Sequence, residues 1–394
     1  MTDLATGLTD RFDVEVVTGL PNYHESDIDA DVPRRETYEG VSVRRLRGTR
    51  FHKDRLLLRV VNWFTFGILV LVYLLRHGDR NETNLVLSNP PILPFATYLA
   101  KRVRGTQYAY LIYDMYPDMP VELGYLSENG MVARAWEYAI RHVYRDADRI
   151  VVLGESMERR LVEKMADDPG FDPEKVVQIA NWEDDSFIEP MEKSENEFSR
   201  EHDLRDKFTL LYSGNIGRYH DVGTAIDAID ELEDRGRDDI QLLVIGEGGR
   251  KEMYQERVRE KNIENVRFLP FQPYERLPES LTSGDASLVT TDPGMEGICV
   301  SSKLYSSLAA GDPILALVSQ TDEVARVVER SDSGAQIDQG KANEVADVLE
   351  SWADNTSRVE EMGRNARECF ESNYTKEHSV DAYANLFDEM KSRG

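Results

Sequence analysis

Short apolar runs alternate with helix-period segments along nearly the whole chain, and the alternation restarts once. In the first half, Val14–Thr18, Gly40–Leu46, Asn84–Leu87, Tyr108–Tyr113, Arg149–Leu153 and Val176–Ile179 read as strands. Leu4–Thr9, Gly130–Arg145 and a capped segment from about Ser156 read as helices. Glu183–Asp206 is then strongly acidic and weakly apolar, as expected of a linker. The pattern resumes with strand Phe208–Ser213, helix Val222–Arg235, strand Gln241–Ile245 and helix Gly249–Lys261. Strands at Val266–Phe268, Ala286–Thr290 and Ile314–Val318 follow, with a helix near Lys303–Ala310 and further helices from Thr321, Ala342, Ser357 and Lys376. The chain is predicted to be α/β, with two Rossmann-like domains (1–182 and 207–375) facing a cleft and joined by a linker at 183–206. A length of 394 residues suits two cores better than one.

One segment departs from the soluble pattern. Leu56–Leu75 is almost continuously apolar, interrupted by Arg59 and Asn62, and reaches the ~20 residues that a bilayer span requires. Arg55, Arg76 and His77 flank it, and Trp63 and Tyr73 lie toward its ends. Three readings stay open: a buried domain helix, a helix lying in the membrane interface, and a span.

Charge narrows the partners. Seventy-three acidic against 47 basic residues give a net charge of −26, and 12 of the 47 are lysine. Such a surface disfavours nonspecific binding to nucleic acid or anionic lipid, so any membrane contact is expected to be hydrophobic. It suits a protein kept soluble in concentrated salt, where repulsion is screened within about 3 Å at 1 M, and a halophilic source is expected. Cys299 and Cys369 are the only cysteines, which argues against a disulfide framework and for a reducing compartment. No Cys or His cluster has metal-ligand spacing, so no metal is expected. The N-terminus lacks the basic, apolar plan of a signal peptide.

Candidate chemistry gathers at strand ends. In Gly294–Leu317, a glycine-punctuated loop with Glu296 and Gly297 ends in Ser301, Ser302 and Lys303, at the start of a short helix. Either serine can cap that helix, and its dipole together with Lys303 suits a di-anion such as a nucleotide diphosphate. Glu296 can accept hydrogen bonds from the hydroxyls of a sugar attached to it. An ordinary loop with a solvated lysine is the alternative. Gly214, Asn215, Gly217 and Arg218 follow the strand Phe208–Ser213, where glycines permit close backbone approach and arginine a bidentate phosphate contact. Gly246 and Gly248 follow Gln241–Ile245, and Phe271 in FLPFQP offers an apolar face for a planar base. In the first half, Asp114 and Asp118 in YDMYPD, and Asn22 and Tyr23 in TGLPNYH, form the acceptor-side set. Asp114 is placed to orient or deprotonate an acceptor hydroxyl, whereas Asp118 after Pro117 is equally a helix cap. His24 and His220 lack the serine and carboxylate partners of a hydrolase triad.

The ordered series TGLPNY, YEGVSVRRL, SNPP, YDMYPD, VVLGESM, IANWEDDSF, YSGNIG, VIGEGG, FLPF and EGICVSSKLYSSLAAGDPI resembles the family 4 retaining glycosyltransferases. The branch it is most similar to includes bacterial fucosamine and colanic-acid-type transferases. The resemblance covers nearly the whole chain. It implies a GT-B fold, a nucleotide diphosphate sugar as co-substrate with no other cofactor, and a final helix (376–394) crossing back to the first domain. It also implies front-face attack, in which the acceptor hydroxyl enters beside the departing diphosphate and the protein orients and neutralises charge. By position, Glu296 matches the first glutamate of the family's pair, Lys303 the lysine of this branch's serine–lysine motif, and Arg218 stands near the diphosphate clamp. Asp114 and Asp118 match the acidic residues of the acceptor loop.

Three positions depart from the family pattern. Ser306 replaces the second glutamate, and Asn215 replaces the arginine after the first loop glycine. The chain begins at what looks like the helix after the family's first strand and glycine-rich loop, so a first domain lacking them is expected, or a start upstream of Met1. The expected setting is the cytoplasmic face of the cell membrane, with a lipid-linked or other glycan acceptor. The alternatives are a degenerate member that binds a partner transferase, and a nucleotide-sugar epimerase.

Overall fold

Each strand runs parallel to its neighbours except one, and the pairing divides the molecule. The computed structural model describes residues 1–21, 32–51 and 56–393. Two compact units emerge, Met1–Ala180 with Lys376–Gly394, and Asn181–Thr375. The predicted Asn22, Tyr23 and His24 lie outside the described residues.

The first unit opens with α1 (Thr2–Gly7), β1 (Glu15–Thr18), β2 (Arg35–Tyr38) and β3 (Val41–Arg45). These strands form a sheet of order β1-β3-β2, with β1 parallel and β2 antiparallel to β3. Next come α2 (Leu56–His77), β4 (Thr83–Leu87), α3 (Leu93–Arg104), β5 (Gln107–Ile112), α4 (Asp118–Glu122), α5 (Met131–Asp146), β6 (Arg149–Val152), α6 (Glu155–Met165) and β7 (Val176–Gln178). The four later strands pair in parallel as β4-β5-β6-β7. The unit thus carries two sheets, not one, with β1 and β4 each ending its own ladder. Sequence pattern missed β2, whose RETY shows no apolar alternation and is mostly exposed. It also missed α3, which follows a proline-rich turn and carries Pro94 in its first turn, where a missing N–H costs nothing.

Helix α2 has two faces. Val70 and Leu74 bury against Ala96 and Ala100 of α3. Gly67 leaves space for Ile92, whose Cγ2 would lie 2.7 Å from an added Cβ. Asn62, 8% exposed, pins the preceding segment: its Oδ1 accepts from Thr49 Oγ1 (2.9 Å) and the Phe51 N–H (3.0 Å), and its amide donates to the Phe51 carbonyl (2.8 Å). Asn62, one of the two polar breaks in the apolar run, is therefore a structural tether. On the other face Leu57, Val61, Phe64 and Ile68, at helical spacing, are 81, 40, 52 and 58% exposed.

The second unit starts earlier than the predicted linker allows. Within 183–206, α7 (Glu197–Glu201) buries Phe198 and, just beyond it, Leu204 against Leu211, Leu243 and Ile245. Asn196 caps α7 through the Ser199 N–H and donates to the Glu279 carbonyl. This acidic stretch is part of the second unit, because a few buried apolar residues among many charges, Ile188, Phe198 and Leu204, suffice to anchor it.

There follow β8 (Phe208–Ser213), α8 (Gly223–Asp234), β9 (Ile240–Ile245), α9 (Lys251–Lys261), β10 (Val266–Leu269), α10 (Leu277–Leu281), β11 (Ala286–Thr290), α11 (Lys303–Ala310), β12 (Ile314–Leu317), α12 (Glu323–Ser331), β13 (Gly334–Ile337), α13 (Ala342–Asp354) and α14 (Thr356–Asn373). All six strands are parallel, in the order β10-β9-β8-β11-β12-β13. Reversal of strand order between β8 and β11 makes this a doubly wound sheet, whose ligands bind beyond the strand carboxyl ends. Register aligns those ends: Ser213 pairs with Ile245, Ile245 with Leu269, and Thr290 with Leu317. The last helix, α15 (Lys376–Arg393), belongs to the first unit, where Gly7 of α1 abuts Val380 and Arg11 pairs with Asp388 at 2.6 Å.

Charge is divided unevenly. The first unit holds 26 basic and 31 acidic residues, and the second 21 basic and 42 acidic.

Candidate functional site

Five loops leave the aligned strand ends of the second unit, and they interlock. The carbonyl of Gly214 would sit 1.9 Å from a Cβ on Gly246, and that of Ile216 2.3 Å from one on Gly248. Both glycines also have φ near +150°, which side chains rarely adopt. Sequence reasoning assigned this space to a ligand. The structure fills it with neighbouring backbone, and the Ile216 N–H donates to the Glu247 carbonyl at 2.8 Å. At Gly214 the neighbour is Lys303, whose Cε would lie 2.8 Å from an added Cβ. Gly214 is thus a seat for the lysine.

Lys303, half-buried, opens α11 at the centre of these loops. Its Nζ lies 5.0 Å from the Tyr212 ring centre and 3.4 Å from His220 Nε2. Among the described residues it makes no ion pair, and burial pushes its pKa down to about 8. A desolvated ammonium without a carboxylate is costly unless an anion arrives to complete it. Neither serine caps α11, contrary to expectation. Ser302 occupies the N-cap position in helical conformation with no side-chain hydrogen bond, and the buried Ser301 hydroxyl has no partner. The Leu304 and Tyr305 amides already donate to the Ser301 and Ser302 carbonyls at 3.2 Å, which narrows what the helix start offers a ligand.

Glu296 is oriented by Ser319, beyond β12, whose hydroxyl donates to its Oε1. Asp322, 2% exposed, caps α12 through the Val324 N–H (2.8 Å). Burial, with the nearby Glu296 charge, pushes its pKa up to about 7. Gly297, at φ 70°, turns the loop between Glu296 and the helix. Arg218 is exposed beside Gly249, Asn215 is exposed, and Phe271 presents 53% of its surface. A separate arginine that sequence reasoning missed, Arg250, ties the loops: it grips Asp292 in two bonds (3.0 and 2.7 Å) and donates to the His220 carbonyl (3.3 Å). His220, Arg250, Asp292, Ser319 and Asp322 were the omissions. Only Asp322, before Glu323 and an apolar helical run, carried a readable cap signal.

The first unit presents its own carboxylates at the end of β5. Ser88 Oγ accepts the N–H groups of Tyr113 (3.0 Å) and Asp114 (3.1 Å), fixing this loop to the one after β4. Burial pushes the Asp114 pKa up to about 6. Asp118 begins α4 but does not cap it. It pairs instead with Lys164 (2.7 Å) and Arg160 (3.2 Å) of α6, which fixes it as a structural anchor. Among the described residues, no group of three or more His, Cys, Asp or Glu is arranged to hold a metal ion.

Two α/β units, one built on a doubly wound parallel sheet with its candidate site at the strand ends, are the architecture of the GT-B class of group-transfer protein. The chain belongs to the glycosyltransferases: residues 1–182 match the glycosyl transferase 4-like domain and 194–369 match glycosyl transferases group 1. Among its relatives, a Pseudomonas aeruginosa protein described as a glycosyltransferase, WbjE, is 25% identical over 335 residues, covering 85% of this chain and 81% of that one. A protein of Escherichia coli K12 described as a colanic acid biosynthesis glycosyl transferase, WcaI, is 27% identical over 59% of this chain and 56% of its own. Sucrose-phosphate synthase from Thermosynechococcus elongatus superposes with a TM-score of 0.77 at 14% identity, covering 99% of this chain and 92% of that one. Anabaena HepE in complex with UDP superposes with a TM-score of 0.72 at 13% identity, over 98% and 94%. WaaG, a glycosyltransferase involved in lipopolysaccharide biosynthesis, gives 0.69 at 14%, over 98% and 94%.

Proposed function

We propose that the protein moves a sugar from a nucleoside diphosphate donor to a glycan acceptor with retention of configuration, in surface-polysaccharide or glycoprotein-glycan assembly. The observation that carries this reading is Lys303: half-buried, seated on Gly214, unpaired with any carboxylate among the described residues, and joined by Glu296 on the same loop. Lys303 neutralises charge developing on the departing diphosphate, and Arg218 adds to the clamp from the neighbouring loop. Glu296, steadied by Ser319, accepts hydrogen bonds from the donor sugar. Asp114 orients the incoming hydroxyl, whose proton passes to a diphosphate oxygen as the glycosidic bond forms and the sugar–phosphate bond breaks. HepE, solved with UDP and with UDP-glucose, supports a uridine nucleotide as the first donor to try. The roles printed for WcaI and WaaG support a surface glycan as product.

The acceptor is proposed to be lipid-linked and met at the cytoplasmic membrane face. The exposed Leu57–Val61–Phe64–Ile68 stripe supports a helix lying in the interface, while the packing of Val70 and Leu74 on α3 opposes a span. A groove of about 430 Å³ lined by Arg47, Thr49, Thr65, Ile68 and Leu69 opens beside the stripe. The acidity of the second unit supports a salt-rich cytosol.

The test is product analysis. Labelled nucleotide sugars are incubated with and without a membrane lipid extract, and the anomeric configuration of any product is read by NMR. Lipid-dependent transfer with the donor's configuration kept is expected. Inverted product, or epimerised sugar formed without acceptor, would overturn the reading.

A further inference from the structure

His220 sits beneath Lys303 and was assigned no role by its sequence context. It is 5% exposed and wedged between Tyr212 and Tyr219, with ring centres 6.2 and 4.5 Å away. Its Nδ1 accepts the Gly217 N–H at 3.0 Å, and its carbonyl is held by the Tyr254 hydroxyl (2.9 Å) and by Arg250. A ring whose Nδ1 is an acceptor carries its proton on Nε2 when neutral. Burial, reinforced by the charges of Lys303 and Arg250, holds it neutral by pushing its pKa down to about 3. The Nε2–H therefore points at Lys303 Nζ, 3.4 Å away. An ammonium has no lone pair to receive that hydrogen, whereas a free amine has one. The ring thus offers the charged lysine a hydrogen that it cannot accept.

The groups facing Lys303 are few. β8 contributes Tyr212, the loop after it His220, and the loop leading into α11 contributes Cys299, whose charge acts to raise the lysine pKa. Arg250 stands behind His220 and is neutralised by Asp292.

We propose that His220 is a positioning residue whose Nε2–H, facing Lys303 Nζ, disfavours the ammonium until a diphosphate joins it, so that binding of the donor diphosphate is coupled to uptake of a proton at Nζ. The proton comes from solvent, no covalent bond changes, and the resulting ammonium faces the diphosphate. This rests on the reading of Lys303 as the diphosphate contact. Lys303 is mostly protonated below pH 8, so the coupling appears as pH rises through about 8, and affinity falls above it.

The experiment is isothermal titration of the full chain with UDP in two buffers of different ionisation enthalpy. Uptake of about 0.7 proton at pH 8.5 and about 0.2 at pH 7.5 is expected from a lysine whose pKa rises from near 8 to above 10 on binding. Lys303→Arg, charged throughout, should show no proton uptake with whatever UDP affinity it keeps. His220→Asn, which keeps an acceptor for the Gly217 N–H and removes the Nε2–H, should cut the pH 8.5 uptake by at least half while still binding UDP. Wild-type binding without uptake, or unchanged uptake in His220→Asn, would overturn the proposal. Undiminished UDP affinity in Lys303→Ala would overturn the donor-site reading beneath it.

Discussion

The two units are built on one plan but meet their surroundings differently. The second unit has an unbroken six-stranded parallel sheet, a buried core, and twice as many acidic as basic residues. The first has two sheets, near-balanced charge, and a helix that leaves Leu57, Phe64 and Ile68 to solvent. Acidity is concentrated in the unit that carries the Lys303 site, and is lower in the unit that exposes apolar surface.

That contrast is broken most severely by disturbing the nested loops. Gly246→Ala places a methyl group against the Gly214 carbonyl at a backbone angle alanine disfavours. It should destabilise the second unit by about 3 kcal/mol in denaturant unfolding. Next, Lys303→Ala and Glu296→Ala should each lower turnover at least about tenfold, or about 1.4 kcal/mol of barrier, with stability little changed. Near-normal rates in both variants would place the chemistry elsewhere.

The first unit should respond differently. The burial-raised pKa of Asp114 means its carboxylate forms only as pH rises through about 6. The rate should therefore show an acid limb near that value, and Asp114→Asn should lower the rate and erase the limb. Phe64→Glu with Ile68→Glu should abolish flotation with liposomes while leaving UDP binding intact, and retained flotation would remove the exposed stripe of α2 as the membrane contact. The smallest effect concerns salt: moving from 0.1 to 1 M KCl should raise the melting temperature by a few degrees as repulsion among the second unit's 42 acidic residues is screened.

How much of this could be read from the chain depended on burial. Strands buried along their length, such as Ile240–Ile245 and Ala286–Thr290, betray themselves by short, mostly apolar runs, and each was located to within a residue. Two edge strands were lost: β2 and β13 are short and partly exposed, so RETY and GAQI carry no period, whereas β4, β7 and β10, also at sheet edges, keep enough apolar residues to be read. The acidic stretch before β8 misled because net charge outweighs three anchoring apolar side chains, Ile188, Phe198 and Leu204, in any local reading. At the site, Glu296 and Lys303 were legible because they share one loop and helix start. Their partners were not, since Ser319 and His220 arrive from 23 and 83 residues away. Glycine was legible as a loop signal, yet its purpose here, seating Lys303 and neighbouring carbonyls, follows only from three dimensions.

The most direct measurement is a binding titration of nucleoside diphosphates against the wild type and Lys303→Ala. The account predicts that one nucleoside diphosphate binds the wild type and binds the variant at least tenfold more weakly, with the fold unchanged by circular dichroism. Equal affinity in the two proteins would contradict it.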